Sequence, residues 1–294
     1  MVTNINTKPV YSSTSEEEFQ LFREYIRNSC GICIPPEKAY IIETRLSKLM
    51  IDSGAENFSE FFKIITSKIN YPLHQQIINA ITTNETLWFR DESPWKYMEE
   101  IALPKLVEDI ATGRKKRVRI WSAAASTGKE IYSTAMCVDN YIKTHKPMGV
   151  RLSDFEFFAT DISMRVLDIA KRGRYDSISI NRGLNDYYKN MYFTQKDSAW
   201  DIDAKIREAV NFAHFNLQNS YQRFGLFDII LFRYVLIYFS DDLKREMIKK
   251  LHGALRDEGI LFTGNYALYG MFEDYFEVEH FESATYYTKK AVRT

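Results

Sequence analysis

Hydrophobic and polar positions along this chain follow two successive periods. As far as about residue 85 the apolar residues recur at helical spacing. "EEEFQLFREYIRNSCG" runs to Gly31, "PPEKAYIIETRLSKLMIDSG" opens on prolines and stops at Gly54, and "NFSEFFKIITSK" and "PLHQQIINAITTN" complete four short helices. No strand pattern interrupts them, so residues 15–85 are expected to form a small helical domain behind a flexible segment, 1–14. From residue 95 helical stretches alternate with short apolar runs. "SPWKYMEEIALPKLVEDIA" precedes "RVRIWS", "GKEIYSTAMCVDNYIKTH" precedes "FEFFATD", and "SMRVLDIAKRG" follows. Further on come "AVNFAHFNL", "FDIILFRYV", the helix "SDDLKREMIKKLHGAL", "GILFTGNY" and one closing strand, "FESATYYTKK". Such alternation predicts an α/β domain, residues 86–294, with a mostly parallel sheet and helices on both faces. Residues 172–210 break the rhythm with a polar stretch and are expected to form an inserted subdomain.

Composition changes this picture little. The 294 residues are 45% hydrophobic and 27% charged, and 39 basic residues balance 39 acidic ones. A neutral chain offers no bulk attraction to nucleic acid or anionic lipid. No apolar run reaches the roughly 20 residues of a membrane span, and the polar opening lacks a signal-peptide core. A cytoplasmic protein is therefore expected. Cys30 and Cys33 form a lone C-x-x-C without a second ligand pair nearby, so they read as ordinary thiols, and no metal site is expected.

Candidate chemistry centres on "RIWSAAASTGKEIYS", residues 119–133, a strand, a run of very small residues and a helix. A phosphate-binding P-loop would need a glycine where Ala123 stands and a hydroxyl where Glu130 stands. A dinucleotide fingerprint needs three glycines, and only Gly128 is present. A nucleoside without phosphates suits the stretch better, with Glu130 entering the helix and Asp161 ending the next strand as an acceptor for ribose hydroxyls. Asp161 or Ser163 can equally serve as an N-cap for the following helix, and the two roles are compatible.

Five ordered blocks, "ITTNETLWFR", "IWSAAASTGKEIYS", "FATDIS", "VNFAHFNL" and "FDIILFRYVLIYFSDD", resemble the CheR family of chemotaxis receptor methyltransferases from about residue 15 to the end of the chain. The resemblance implies a Rossmann-like class I sheet dependent on S-adenosylmethionine, with an all-helical N-terminal domain and a small inserted subdomain. It also implies methyl esterification of glutamate side chains on the cytoplasmic helices of methyl-accepting chemoreceptors, with S-adenosylhomocysteine as product. Carried over residue by residue, the cofactor pocket comprises Asn84, Thr86, Arg90, Ala123, Glu130, Asp161, Asn216, Leu217, Arg233 and Tyr234, and Arg90 and Tyr238 stand at the reacting centre. The chain departs from the family pattern at four places. Lys129 replaces a glutamate, Ile131 a proline, Tyr234 an asparagine, and "GNYA" (264–267) the Gly-His-Ser-Glu.

A glutamate acceptor is already ionised near pH 7, so the transfer needs no general base. Arg90 is suited to hold the acceptor carboxylate in a bidentate pair, and Tyr238 to sit against the sulfonium. Arg23, Arg27, Arg45 and Lys48 form either a basic stripe for an acidic receptor helix or an ordinary charged helix face. Some family members tether to a C-terminal receptor pentapeptide through a glycine-rich loop of the inserted subdomain. Here no glycine lies between Gly183 and Gly225, so no tether is expected. Two other readings stay open from the residues: a CheR-like enzyme of another signalling pathway, and a degenerate module that binds adenosylmethionine, or nothing, without transferring methyl groups.

Overall fold

A computed structural model describes residues 14–67, 71–264 and 270–290. The expected flexible segment 1–14, apart from Thr14, lies outside the described residues, as do Asn265, Tyr266 and Ala267 of "GNYA". The chain divides into two compact units, Met1–Thr83 and Asn84–Thr294.

The first unit contains α1 (Glu16–Cys30), α2 (Tyr40–Asp52), α3 (Phe58–Ser67) and α4 (Tyr71–Ile81). Ser15 and Glu18 form a reciprocal capping box at the start of α1, and Gly31, at φ +79°, ends it in the left-handed conformation. The prolines before α2 form a single 3-10 turn, Pro36–Lys38, and the α-helix itself starts at Tyr40. Phe22 is buried and contacts the rings of Phe58, Phe61 and Phe62 at 5.6, 5.7 and 5.4 Å. Each such buried side chain contributes about 1.5–3 kcal/mol. The Arg45 guanidinium is turned onto the end of α4, donating to the carbonyls of Ala80 and Ile81 and to Thr83 Oγ1, and Lys48 pairs with Asp52 at 2.7 Å. Arg45 therefore serves as a helix cap, satisfying carbonyls that the helix leaves open. Cys30 is buried and Cys33 half-buried, and both thiols are free.

The second unit opens with α5 (Glu92–Tyr97), which passes through a π-helical turn (Met98–Ala102) into α6 (Leu103–Ala111). Pro104 explains the turn. It has no N–H for the Glu100 carbonyl, and Leu103 N–H bonds Met98 five residues back. There follow β1 (Val118–Ala123), α7 (Lys129–His145), β2 (Phe155–Asp161) and α8 (Met164–Arg172). Residues 174–208 hold β3 (Arg174–Asp176), α9 (Ser177–Ile180), α10 (Asp186–Tyr192), β4 (Phe193–Lys196), β5 (Ala199–Ile202) and α11 (Ala204–Glu208). The unit closes with β6 (Val210–His214), β7 (Phe227–Leu231), α12 (Asp241–Ala254), β8 (Leu255–Phe262), β9 (Phe276–Phe281) and β10 (Ala284–Lys289).

The main sheet has the order β6-β2-β1-β7-β8-β10-β9. Its first five strands are parallel, and β10 runs antiparallel to both β8 and β9. β7, "FDIIL", is buried at every position, as a central parallel strand covered on both faces must be. From β1 the chain moves outward to β2 and β6, then returns to β7 on the other side. That reversal is a topological switch point, and open α/β sheets bind ligands outside the carboxyl ends of the strands that flank it, here β1 and β7. The register sets Ser122 level with Ala159 of β2 and Leu231 of β7. The end of the chain differs from the single strand expected. It is a hairpin, with Glu282 at φ +50° in its turn, and β9 escaped notice because its outward residues are charged.

β3, β5 and β4 form a separate antiparallel sheet in that order. Trp88, buried, meets Tyr175 and Phe193 of this sheet edge-on at 4.9 and 5.2 Å, and its Nε1 donates to the Ser179 carbonyl at 3.1 Å. The β4–β5 turn is a two-residue hairpin, Asp197-Ser198, with Asp197 at φ +55°.

Candidate active site

The small residues after β1 answer to backbone shape. Ala124, Ser126 and Gly128 all have positive φ, at +62°, +52° and +83°. For Ala and Ser this conformation costs about 1–3 kcal/mol each and persists only when surrounding bonds impose it. Those bonds are present. Ser126 N–H donates to Asp161 Oδ2 at 2.8 Å, Ala125 N–H to the Thr160 carbonyl at 2.9 Å, and Ser126 Oγ to the Asn84 carbonyl at 2.9 Å. Gly128 has a packing reason as well, since a Cβ there would lie 2.9 Å from Ala170 Cβ and 3.2 Å from the Phe212 ring.

Asp161 clamps this loop from β2. Its Oδ1 accepts from Ser163 N–H at 2.8 Å while Oδ2 holds Ser126. Ser163, by contrast, is the N-cap of α8 and accepts from Val166 N–H. Burial pushes the Asp161 carboxyl above its ordinary pKa, against the pull of the Ser163, Ser126 and Ile162 amides and of His214. Each carboxylate oxygen has a second lone pair, so the clamp leaves acceptor capacity for a ligand hydroxyl. The Asp161 carbonyl also accepts from Phe215 N–H at 2.9 Å, which draws in the segment carrying Asn216 and Leu217. Asn216 is half-buried, its Oδ1 accepting from Gln218 N–H at 3.0 Å, and Leu217 is buried.

A second cluster gathers around Arg233, just beyond β7. Its side chain is only 2% exposed and donates to Glu130 Oε2 at 3.1 Å, to Asp91 Oδ2 at 2.8 Å and to the Arg90 carbonyl. Glu130, in the first turn of α7, accepts from Ser122 Oγ at 2.7 Å with its other oxygen. The Tyr234 hydroxyl donates to Asp91 Oδ2. The Arg90 guanidinium lies over the Tyr234 ring, its carbon 3.5 Å from the ring centroid, and among the described residues no carboxylate pairs with it. Thus Glu130, Arg233, Tyr234 and Arg90 come together directly, while Asn84 and Asp161 meet through Ser126. Ala123 is buried at the end of β1. Thr86 and Tyr238 are half-buried, Tyr238 on a short 3-10 turn after Tyr234.

Sequence reasoning passed over Asp91, which joins Arg233 to Tyr234. Its partners lie 142 and 143 residues away, and nothing local signals the role. Lys129 stands out in the sequence only as a departure from the family pattern, and its burial is not signalled there. It is buried, donates to the Ser179 carbonyl at 2.9 Å, and burial lowers its ammonium to about 8.

The polar inventory exceeds what the chain itself uses. Among the described residues of this unit, the buried side-chain atoms without a partner are Thr127 Oγ1, Arg233 Nε and Thr263 Oγ1. All three follow the carboxyl ends of β1, β7 or β8 closely. Unpaired buried polar atoms are costly in a native fold, and their collection at one end of the sheet marks a place for a polar ligand.

The model of a CheR methyltransferase SAM-binding domain matches residues 84–284, and that of a CheR methyltransferase all-alpha domain matches residues 17–82. The chain is 38% identical to chemotaxis protein methyltransferase 1 of Pseudomonas aeruginosa, over 86% of this chain and 90% of that protein. It is 37% identical to chemotaxis protein methyltransferase Cher2 of Pseudomonas putida, over 90% of this chain and 94% of that one. A chemotaxis protein methyltransferase of Vibrio anguillarum is 35% identical over 85% and 88%.

Proposed function

The chain belongs to the CheR methyltransferase family, and we propose that it esterifies glutamate side chains on the cytoplasmic helices of chemoreceptors, using S-adenosylmethionine, for adaptation in chemotaxis. The observation that carries this reading is the constellation at the ends of β1, β2 and β7, on a class I sheet whose family model binds adenosylmethionine.

The residues present suit that cofactor. Asp91 and Glu130 pair with Arg233, Arg90 lies beside them over Tyr234, and Asp161 adds a carboxylate from the neighbouring loop clamp, a formal excess of one negative charge over the two clusters. Adenosylmethionine carries one net positive charge, from a sulfonium beside a zwitterionic amino acid, so the signs match. Asp161 and Asn216 would hold the ribose and adenine end. Asn84, Thr86, Ala123, Glu130, Leu217 and Arg233 complete the pocket. When bound, the cofactor would supply an electrophilic methyl group, which would bond to a glutamate carboxylate oxygen as its bond to sulfur breaks and the thioether of S-adenosylhomocysteine leaves. Arg90 would orient the acceptor carboxylate, and Tyr238 would serve at the sulfonium end of the cofactor. The chain's task is positioning and charge placement, because an ionised glutamate needs no proton removed.

The receptor is recognised without a C-terminal tether, since the β4–β5 hairpin is a two-residue turn lacking glycine. A cytoplasmic site of action follows from the substrate; among the described residues no helix is long and apolar enough to cross a membrane.

The test is transfer of a labelled methyl group to receptor-containing membranes, followed by mild base. Label released as methanol supports an ester. Base-stable label would place the methyl elsewhere, and homocysteine-product binding without any transfer would make the chain an interaction module.

A further inference from the structure

We propose that Tyr234 is a positioning residue, holding the Arg90 guanidinium flat so that its edge faces the acceptor carboxylate. The inference rests on the reading of Arg90 as the acceptor-binding group and goes beyond it by assigning what aligns that group. It also takes Tyr234 out of the set of direct cofactor ligands expected from the sequence.

Several features fix the ring. Tyr234 has φ +58°, a backbone conformation unusual for an aromatic residue, and its N–H donates to the Thr263 carbonyl at 3.1 Å. Its hydroxyl is tied to Asp91, which also accepts from the buried Arg233. Gly264 lies against the ring, where a Cβ would come within 2.9 Å of Tyr234 Cζ, so only glycine leaves room for it. Arg90 lies over the ring, its carbon 3.5 Å from the centroid. Among the described residues the other guanidiniums stand farther from their rings: 4.6 Å for Arg119 over Phe227, 4.7 Å for Arg223 over Phe224 and 5.7 Å for Arg233 over this same Tyr234 ring.

A separation of 3.5 Å is van der Waals contact, which a guanidinium carbon reaches over a ring only when the two planes lie nearly face to face, and that stacking has a chemical consequence. A guanidinium lying flat on a ring keeps its five N–H bonds in its own plane, directed outward, and a carboxylate pairs with two of them only when it approaches in that plane. The ring also excludes water from one face, which strengthens the remaining contacts. A lysine offers neither the plane nor the stacked face. The asparagine that the family pattern has at this position supplies no ring at all.

The experiment uses the full chain with receptor-containing membranes as acceptor and S-adenosylhomocysteine as binding probe. Tyr234→Asn removes the ring, and asparagine tolerates a left-handed backbone. Tyr234→Phe keeps the ring without the hydroxyl. Tyr234→Asn is expected to lower kcat/KM for the receptor about tenfold while homocysteine-product affinity stays within threefold, and Tyr234→Phe to retain most of the activity. In an Arg90→Ala background Tyr234→Asn should add no further loss, because the ring acts through Arg90. Arg90→Lys should behave like Arg90→Ala, an outcome that does not depend on how any Tyr234 variant folds. Full additivity in the double variant, loss of product binding in Tyr234→Asn, or an active Arg90→Lys would each overturn the proposal. An Arg90→Ala variant with undiminished transfer would overturn the acceptor reading itself, and is separable because it involves no change at Tyr234.

Discussion

Replacing Asp161 by alanine tests the link between loop geometry and cofactor binding. The change leaves two buried amide donors, Ser126 N–H and Ser163 N–H, without their acceptor. An unsatisfied buried donor costs about 1–3 kcal/mol, so the pair puts about 2–6 kcal/mol at stake, toward the lower end once water enters the space left by the side chain. Part of that loss appears as global destabilisation. The rest is local, because Ser126 at φ +52° is free to relax once its clamp is gone. Relaxation moves the loop that contains Ala124 and Thr127, and a ribose acceptor disappears as well. Urea unfolding should therefore show a lower midpoint, and calorimetry should show affinity for S-adenosylhomocysteine reduced more than tenfold, or 1.4 kcal/mol. Asp161→Asn should fall between, since it keeps one oxygen but turns an amide donor toward a backbone donor. Burial raises the Asp161 pKa, so the folded protein holds this proton more tightly than the unfolded chain. The wild-type advantage over Asp161→Asn must accordingly shrink as pH rises from the ordinary carboxylate range through the folded pKa. An Asp161→Ala protein that binds the product within threefold of wild type, with an unchanged urea midpoint, would refute the clamp.

Gly128→Ala should cost about 2–4 kcal/mol, combining a left-handed alanine with overpacking against Ala170 and Phe212, and an unaltered urea midpoint would contradict it. Lys129 titrates near 8 in the fold and near 10.4 when unfolded. The unfolded chain thus binds more protons between those values, and wild-type stability should rise with pH across that window. Lys129→Met should abolish the rise and be the more stable protein at pH 7, with Trp88 still donating to the Ser179 carbonyl; parallel pH profiles would count against it. Calorimetry with a C-terminal receptor pentapeptide should show no binding, and methylation of tail-truncated receptors should persist; micromolar affinity would disprove tether independence.

The sheet was readable wherever its strands are buried on both faces. β2 and β7, "FEFFATD" and "FDIIL", are nearly continuous apolar runs that no surface element would carry. β9 was not readable, since "EVEH" on an edge strand resembles a loop, and β3, β4 and β5 are too short and polar to show a period. Helix ends were legible at Gly31, where a left-handed cap requires glycine, but not at Tyr40, where the prolines bend the chain before the helix begins. At the candidate site, Glu130 and Asp161 announce themselves by position at a helix start and a strand end. Asp91 does not, because its partners Arg233 and Tyr234 lie 142 and 143 residues along the chain. Arg45 looked like part of a binding stripe because spacing cannot reveal that its charge is turned inward onto carbonyls of α4.

The hairpin that closes the main sheet also leaves that sheet with an open edge. Among the described residues β9 pairs only with β10, so its outer edge presents amides and carbonyls that would accept another strand. Glu277 and Glu279 stand exposed on that strand, two residues apart and therefore on one face, Glu277 with the Lys290 ammonium 3.7 Å away. Two copies approaching edge to edge would bring these carboxylates toward their counterparts, at a cost like that of like charges placed opposite in any sheet. Charge, rather than any lack of pairing groups, is therefore what discourages this sheet from gaining a further strand.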